Sequence, residues 1–313
     1  MSPLISVNNL TRRYGNFCAV NNISFELAVG DILGFLGPNG AGKSSTMQML
    51  TGNLAPTQGQ ISINGVDLLE DPKAAKASMG YLPENPPLYQ DMTVSEYLVF
   101  CARLHQVNKT RIQKVCDSAI EHCGLGDVQQ RLIKNLSKGF QQRVGIAQAI
   151  LHSPPVIILD EPTVGLDPIQ ILEIRELIKT LGQNHGVILC THILPEVQAV
   201  CNRVQIINQG NLVYSADIED MLNRQSTQFE FSLSSEINRD ELARHDVFKT
   251  IEATGKNSFL ADSDLSADKL SEYIVQQQWG LTRFSPYQQS LEQIFISLTA
   301  SDENTVNASK AEA

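Results

Sequence analysis

Up to about residue 220 the chain alternates short apolar runs with stretches of helical period. Asp31-Ile32-Leu33-Gly34-Phe35-Leu36, Val156-Ile157-Ile158-Leu159 and Val187-Ile188-Leu189-Cys190 are too brief for helices and lack the polar alternation of a half-exposed strand. They predict strands buried on both faces. Between them, Thr93 and Glu96 form a capping box ahead of Tyr97, Leu98, Phe100 and Leu104, and Ile112, Val115, Cys116, Ala119, Ile120 and Cys123 recur at helical spacing. A further helix opens at Asp167 and Pro168. Buried strands alternating with helices predict α/β architecture with parallel strands, the first strand lying within Met1 to Leu10. The expected first domain covers residues 1–220, with a helical subdomain over about 85–150.

Beyond Met221 the pattern changes. Phe229, Phe231 and Leu233 alternate with polar residues, then come a helix near Asp240 to Asp246, strands near Phe248 to Thr254 and Ser258 to Ala261, a helix over Ala267 to Gln278 and a strand at Leu281 to Phe284. That β-α-β-β-α-β order predicts a small α+β, ferredoxin-like domain over 221–300, with a closing helix whose Leu291, Ile294, Phe295 and Leu298 pack over it. Residues 301–313 are small and polar and predict a disordered tail.

Composition narrows the partners. The chain has 313 residues and a formal net charge of −10, which argues against a nucleic-acid surface. From Met221 onward 14 acidic residues face 8 basic ones, so that region is no polyanion binder and reads as a regulatory or dimer-stabilising module. No run reaches the roughly 18 to 20 apolar residues of a membrane span, and the N-terminus lacks a signal pattern, so the expected location is cytoplasmic. Six scattered cysteines form no C-x-x-C pair and read as reduced core residues; Cys116, His122 and Cys123 match no usual zinc spacing.

Two motifs carry chemistry. Gly37-Pro38-Asn39-Gly40-Ala41-Gly42-Lys43-Ser44 follows a strand and leads through Ser45 into a helix, the setting a phosphate-binding P-loop requires. Its backbone N–H groups would wrap phosphate at a helix N-terminus, Lys43 would supply a charge for the β- and γ-phosphates, and Ser44 a hydroxyl for magnesium. The second is the strand Val156 to Leu159 ending in Asp160-Glu161, a Walker B arrangement. Asp160 is placed to hold Mg2+, and Glu161 to accept a proton from, or orient, the attacking water.

At Leu136-Ser137-Lys138-Gly139-Phe140-Gln141-Gln142-Arg143 the chain resembles the ATP-binding subunit of an ATP-binding cassette (ABC) transporter, whose signature sequence precedes Walker B in this way. Gly165-Leu166-Asp167-Pro168 is similar to that family's D-loop and Thr191-His192 to its switch histidine, and the resemblance covers roughly residues 4 to 217. The resemblance implies an ATPase working with ATP and Mg2+. Tyr14 would stack on adenine, the cradle of Gly37 to Ser45 would hold the phosphates, and His192 would contact the γ-phosphate. Ser137 and Gly139 would reach the ATP held by a second copy, making a homodimer closed around nucleotide.

Two motifs depart from the family pattern. Glu84 stands where the Q-loop has glutamine, as a candidate magnesium or water ligand that adds negative charge, and Lys138 and Phe140 stand where the commonest signature has glycine and glutamine. This variant is similar to those of ABC-2-type exporter subunits, and Gly80 to Tyr89 to the gliding-motility and copper-processing type. The implied partner is a separate transmembrane permease, with the chain peripheral on the cytoplasmic face of the inner (plasma) membrane and Pro86 to Met92 as its docking segment. The competing reading is a non-transport ABC ATPase acting as a mechanical switch on ribosomes or DNA, against which stand a single cassette, no coiled-coil heptads and the acidic balance. A small-molecule kinase would share the P-loop but leave the signature and D-loop unexplained.

Overall fold

The computed structural model describes residues 2–223, 227–287 and 290–300. Two compact units emerge, one comprising the chain up to Ile218 together with the residues from Phe295, the other Glu219–Ile294. The first contains strands β1 (Ile5–Tyr14), β2 (Phe17–Leu27), β3 (Ile32–Leu36), β4 (Gln58–Ile63), β5 (Val66–Asp67), β6 (Met79–Leu82), β7 (Val156–Asp160), β8 (Gly186–Thr191), β9 (Arg203–Asn208) and β10 (Asn211–Asp217). Its helices are α1 (Lys43–Leu50), α2 (Pro72–Ala77), α3 (Val94–Leu104), α4 (Ile112–His122), α5 (Lys138–Ile150), α6 (Pro168–Gly182) and α7 (Leu194–Val200).

Six strands form the central sheet in the order β10-β9-β3-β8-β7-β6. The β9-β3-β8-β7-β6 pairings are parallel, and β10 returns antiparallel on β9. Every residue of β3, β7 and β8 is buried, as their uninterrupted apolar runs require. β1 does not join this sheet but lies in an antiparallel one of order β2-β1-β4-β5. The reason is its polarity: Ile5, Val7 and Leu10 are buried while Asn8, Asn9 and Arg13 face water, a one-sided pattern that the middle of a parallel sheet would not tolerate.

Helices α3, α4 and α5 lie between β6 and β7. The capping box of α3 is present, with Thr93 N–H donating to Glu96 Oε2 at 2.8 Å and Glu96 N–H to Thr93 Oγ1 at 3.2 Å. Asp167 caps α6 through Gln170 N–H at 2.9 Å, with Pro168 in the first turn. Leu88, in the expected docking segment, is buried, whereas Tyr89 is 52% exposed with its ring edge-on to Tyr97 and Phe100. The cysteines are reduced, five of them buried and Cys18 partly so.

The second unit opens with most of α8 (Ile218–Asn223) and continues through β11 (Gln228–Leu233), α9 (Arg239–Leu242), β12 (Thr250–Ala253), β13 (Ser258–Asp262), α10 (Ala267–Gln276) and β14 (Leu281–Pro286). Its sheet has the order β12-β13-β11-β14 with every pairing antiparallel, the ferredoxin-like arrangement. Phe229, Phe231 and Leu233 point inward at the period-two spacing, against Phe248, Phe259, Leu270 and Ile274. α10 stops at Gln276, ahead of Gln278, whose φ of 60° is left-handed and ends a helix. The closing helix α11 (Leu291–Ala300) buries Leu291, but from Phe295 its residues belong to the first unit rather than to the ferredoxin-like one. The expected tail, Ser301 to Ala313, lies outside the described residues.

After α5, His152 stacks on His105 with ring centroids 4.0 Å apart and places Nε2 3.2 Å from the Met79 carbonyl of β6. Burial and the neighbouring His105 hold its imidazole down at about 4, against the pull of that carbonyl. A histidine neutral in the fold but titrating near 6.5 when unfolded binds protons preferentially to the unfolded chain. Stability should therefore fall as pH is lowered from 6.5 towards 4. Replacing His152 with glutamine should make that decline shallower in thermal melts taken across the interval; identical slopes would remove His152 from the account.

Candidate functional site

β3 ends at Leu36 and α1 begins at Lys43, so the intervening loop must turn sharply at the C-terminal edge of the parallel sheet. Gly42 has a φ of 109°, and a Cβ there would collide with the Ala19 carbonyl oxygen. Only glycine meets both conditions. The Lys43 ammonium is buried and donates to the carbonyls of Gly37 at 2.7 Å and Pro38 at 3.0 Å. Ala41 donates to Pro38 O at 3.2 Å and accepts from Gly210 N–H at 2.9 Å. Gly37, Pro38 and Ala41 therefore brace the loop, while Asn39, Gly40, Gly42, Lys43, Ser44 and Ser45 line a cleft of about 440 Å³. That volume lies within the roughly 300–1,000 Å³ of small-molecule sites. The first turn of α1 carries no acidic residue, which leaves its positive end free for an anion.

Three carboxylates meet this loop from the end of β7 and the segments that follow β7 and β6, farther across the same sheet. β7 ends at Asp160, Glu161 follows it, and Glu84 comes from the segment after β6; all three line the cleft. Burial raises the Asp160 pKa above 3.8, and Glu161 and Glu84 push the same way, opposed by a hydrogen bond from the Cys190 thiol and by Lys43. Glu161 is buried and adopts a φ of 50°, a left-handed conformation costing roughly 1–2 kcal/mol in a residue with a side chain. Its N–H donates to Cys190 O at 2.9 Å, tying it to β8. His192, just beyond β8, lines the cleft and sets Nδ1 2.8 Å from Glu161 Oε1, so the ring nitrogen donates to the carboxylate.

The rim is aromatic. Tyr14 and Phe17 are cross-strand partners at the β1–β2 turn, 44% and 64% exposed, and both line the cleft. The Arg12 guanidinium lies 4.6 Å from the Tyr14 ring centroid, a cation–π contact. Phe17, Ala19 and Val164 were not anticipated; the signal for Phe17 was its place opposite Tyr14 across a tight turn. Ser137 and Gly139 are not brought to this cleft. Ser137 caps α5 and is exposed, and Gly139 is buried in the first turn, covered by the Gln170 side chain.

The geometry thus joins a phosphate loop, a strand-end carboxylate pair and a histidine, with the signature segment apart from them. A family model described as ABC transporter matches residues 20–164. The chain is 31% identical to the uncharacterized ABC transporter ATP-binding protein YxlF of Bacillus subtilis, over 94% of this chain and 98% of that one. The chain belongs to the ABC transporter family. It is 37% identical to the bacitracin transport ATP-binding protein BcrA of Bacillus licheniformis, over 75% of this chain and 77% of that one. Among solved structures, cbiO1 of Clostridium perfringens, described as part of the ABC transporter complex cbiONQ, superposes with a TM-score of 0.65 at 27% identity, covering 72% of this chain and 92% of that one.

As an ABC family ATPase, the protein binds and hydrolyses ATP. No helix among the described residues is long and apolar enough to cross a membrane. Nor do three His, Cys, Asp or Glu side chains among them cluster closely enough to hold a metal unaided. A cation at Asp160 would need other oxygens, such as the Ser44 hydroxyl and the nucleotide's own phosphates.

The two glycines of the loop that line the cleft differ in a way that can be read out. A Cβ at Gly40, where φ is 81°, meets open space, while one at Gly42 meets the Ala19 carbonyl. Gly42→Ala should weaken ATP binding at least ~10-fold and Gly40→Ala distinctly less, since only the former must displace backbone. Calorimetric titration of both variants compares them; equal losses would mean that crowding at Ala19 is not what fixes the loop.

Proposed function

We propose that this ABC ATPase powers an ABC-2-type exporter, closing as a homodimer on ATP and driving a separate transmembrane permease from the cytoplasmic face of the inner (plasma) membrane. The observation that carries the reading is the half-built site. Lys43, Asp160, Glu161 and His192 belong to one cleft or its walls, while Ser137 and Gly139, which would complete it, lie elsewhere on the same chain. A second copy would supply them. The exporter assignment draws on the Lys138 and Phe140 form of the signature and on the likeness to a bacitracin transport ATP-binding protein.

Each side chain then has a task. Asn39 to Ser45 and the N-terminus of α1 hold phosphate oxygens, and Lys43, already aimed along the loop, adds a charge as γ-phosphate arrives. Glu161 accepts the proton of, or orients, the attacking water, with His192 fixing the carboxylate through Nδ1. Tyr14 stacks on the base, its far face taken by Arg12. Ser44, Asp160 and Glu84 form an all-oxygen set suited to magnesium, and two positive charges would relieve the crowding of Asp160, Glu161 and Glu84. Magnesium supplies charge neutralisation between the β- and γ-phosphates.

Beside β6, Tyr81, Pro83, Pro87, His105 and His152 line a separate groove of about 630 Å³, and Tyr89 stands exposed two residues beyond Pro87. This is the surface offered to the permease, with Leu88 reassigned from contact to core.

Glu161→Gln should keep ATP affinity while lowering turnover at least ~100-fold, and Lys43→Ala should weaken binding itself, because the first removes a transition-state group and the second a ground-state charge. Steady-state kinetics with direct binding measurements separate them, and near-normal turnover in Glu161→Gln would exclude it as the base. Tyr89→Asp should abolish co-purification with a polytopic membrane protein and leave ATP affinity within about 2-fold of the parent, the exposed ring touching no cleft residue. Undiminished recovery of that protein would move the docking surface elsewhere.

A further inference from the structure

Behind the cleft lies a buried carboxylate that none of the roles above uses. Glu196, in the first turn of α7, is 1% exposed. Its Oε1 accepts the Thr163 hydroxyl, two residues beyond Glu161, and its Oε2 accepts the Thr191 hydroxyl at 3.0 Å, one residue before His192. Thr163 and Thr191 are themselves 2% and 0% exposed, so no bulk water competes for these bonds. One side chain thus spans the loop after β7 and the end of β8, the two segments that carry Glu161 and His192.

The Thr191 hydroxyl makes the connection chemical as well as mechanical. It accepts from Ile193 N–H at 3.1 Å and has one proton to give, with two carboxylates in reach: Glu196 Oε2 at 3.0 Å and Glu161 Oε2 at 3.3 Å. The shorter contact is within the usual range for O–H···O bonds and the longer is outside it, so Glu196 takes the proton. Glu161 is left with His192 as its close donor and a free face towards the cleft. Stability alone does not explain Glu196, because burying a carboxylate costs more than an apolar side chain of similar size would, even with two hydroxyl donors and the charge of Arg175 on α6 nearby.

We propose that Glu196 is a positioning residue for ATP hydrolysis, holding the Glu161 and His192 loops in register through Thr163 and Thr191 and keeping the Thr191 proton off Glu161. This rests on the reading of Glu161 as the residue that handles the attacking water. Removing the clamp should slow the chemical step without weakening nucleotide binding, since Glu196 is not among the residues lining the cleft.

The test uses the full chain with ATP and magnesium: wild type, Glu196→Gln, Thr191→Val, their double variant, Thr163→Val and Thr163→Ser. Expected are a kcat lowered at least ~10-fold in Glu196→Gln, KM and equilibrium ATP affinity within about 3-fold of wild type, and a double variant no slower than its slower parent, the signature of groups acting as one unit. Thr163→Ser, which keeps the hydroxyl, should retain the turnover that Thr163→Val loses. Unchanged kcat in Glu196→Gln overturns the role, and so does a parallel fall of kcat, ATP affinity and thermal midpoint, which would mark a packing residue. A Glu161→Gln variant that turns over normally, while Glu196→Gln is slow, would instead strike the reading of Glu161. The two failures are therefore distinguishable.

Discussion

The register of three fully buried strands is the constraint from which the site follows. β3, β8 and β7 run parallel and adjacent, with Leu36 paired to Thr191 and Asp160 to Cys190, so all three end at the same edge within about one residue. Whatever follows each strand must emerge side by side. After β3 that is the phosphate loop, after β7 Glu161, after β8 His192. A slip of one position would turn Asp160 and Thr191 to the other face and dissolve the constellation, yet the burial of every residue in these strands makes such a slip costly. Core packing and catalytic geometry are here one requirement.

The same edge concentrates negative charge in a place that resists it. Asp160, Glu161 and Glu84 crowd the cleft, Glu196 lies behind it, and Asp160 is pushed towards its protonated form by burial first and by its neighbours second. The nearby cation, Lys43, has two carbonyls to satisfy it and is not paired with any of them. Carboxylates gathered this closely repel one another, a cost that the magnesium proposed at Ser44, Asp160 and Glu84 would relieve. The left-handed conformation of Glu161 belongs to the same account, strain held in place by the Cys190 carbonyl at 2.9 Å and by His192 at 2.8 Å.

How much of this could be read from the residue order depends on the range of the interaction. The phosphate loop, the Asp160-Glu161 pair, the Thr93 capping box and the β-α-β-β-α-β order of the second unit were legible because each is a pattern of neighbours. So was the family, through several short motifs in the right sequence. The split of β1 from the parallel sheet was visible only as one-sided polarity, a subtler cue than apolar content. The burial of Leu88 was not visible at all, since a Pro-Pro-Leu-Tyr stretch looks like an exposed loop until α3 packs beside it. Glu196 was hidden for the same reason: its partner Thr163 is 33 residues away, and nothing local distinguishes a carboxylate clamped in the core from one on a helix surface.

The signature segment shows how tertiary contact changes what a motif means. Lys138 stands where the commonest family form has glycine, and its ammonium covers Gly165 of the D-loop so closely that any side chain there would strike it. Gln170 of α6 lies against Gly139 in the same way, and Arg143 of α5 pairs with Glu173 of α6. Three contacts along two adjoining helix starts join stretches that appear separate in the sequence. If Ser137 and Gly139 are to meet nucleotide held by a second copy, these contacts would link their movement to that of the D-loop. The D-loop in turn follows Glu161 by only a few residues, and Thr163 between them is held by Glu196. Closure on ATP, as proposed, would then reach Glu161 through packed side chains, and the departure at Lys138 would bear on that coupling more directly than on phosphate binding.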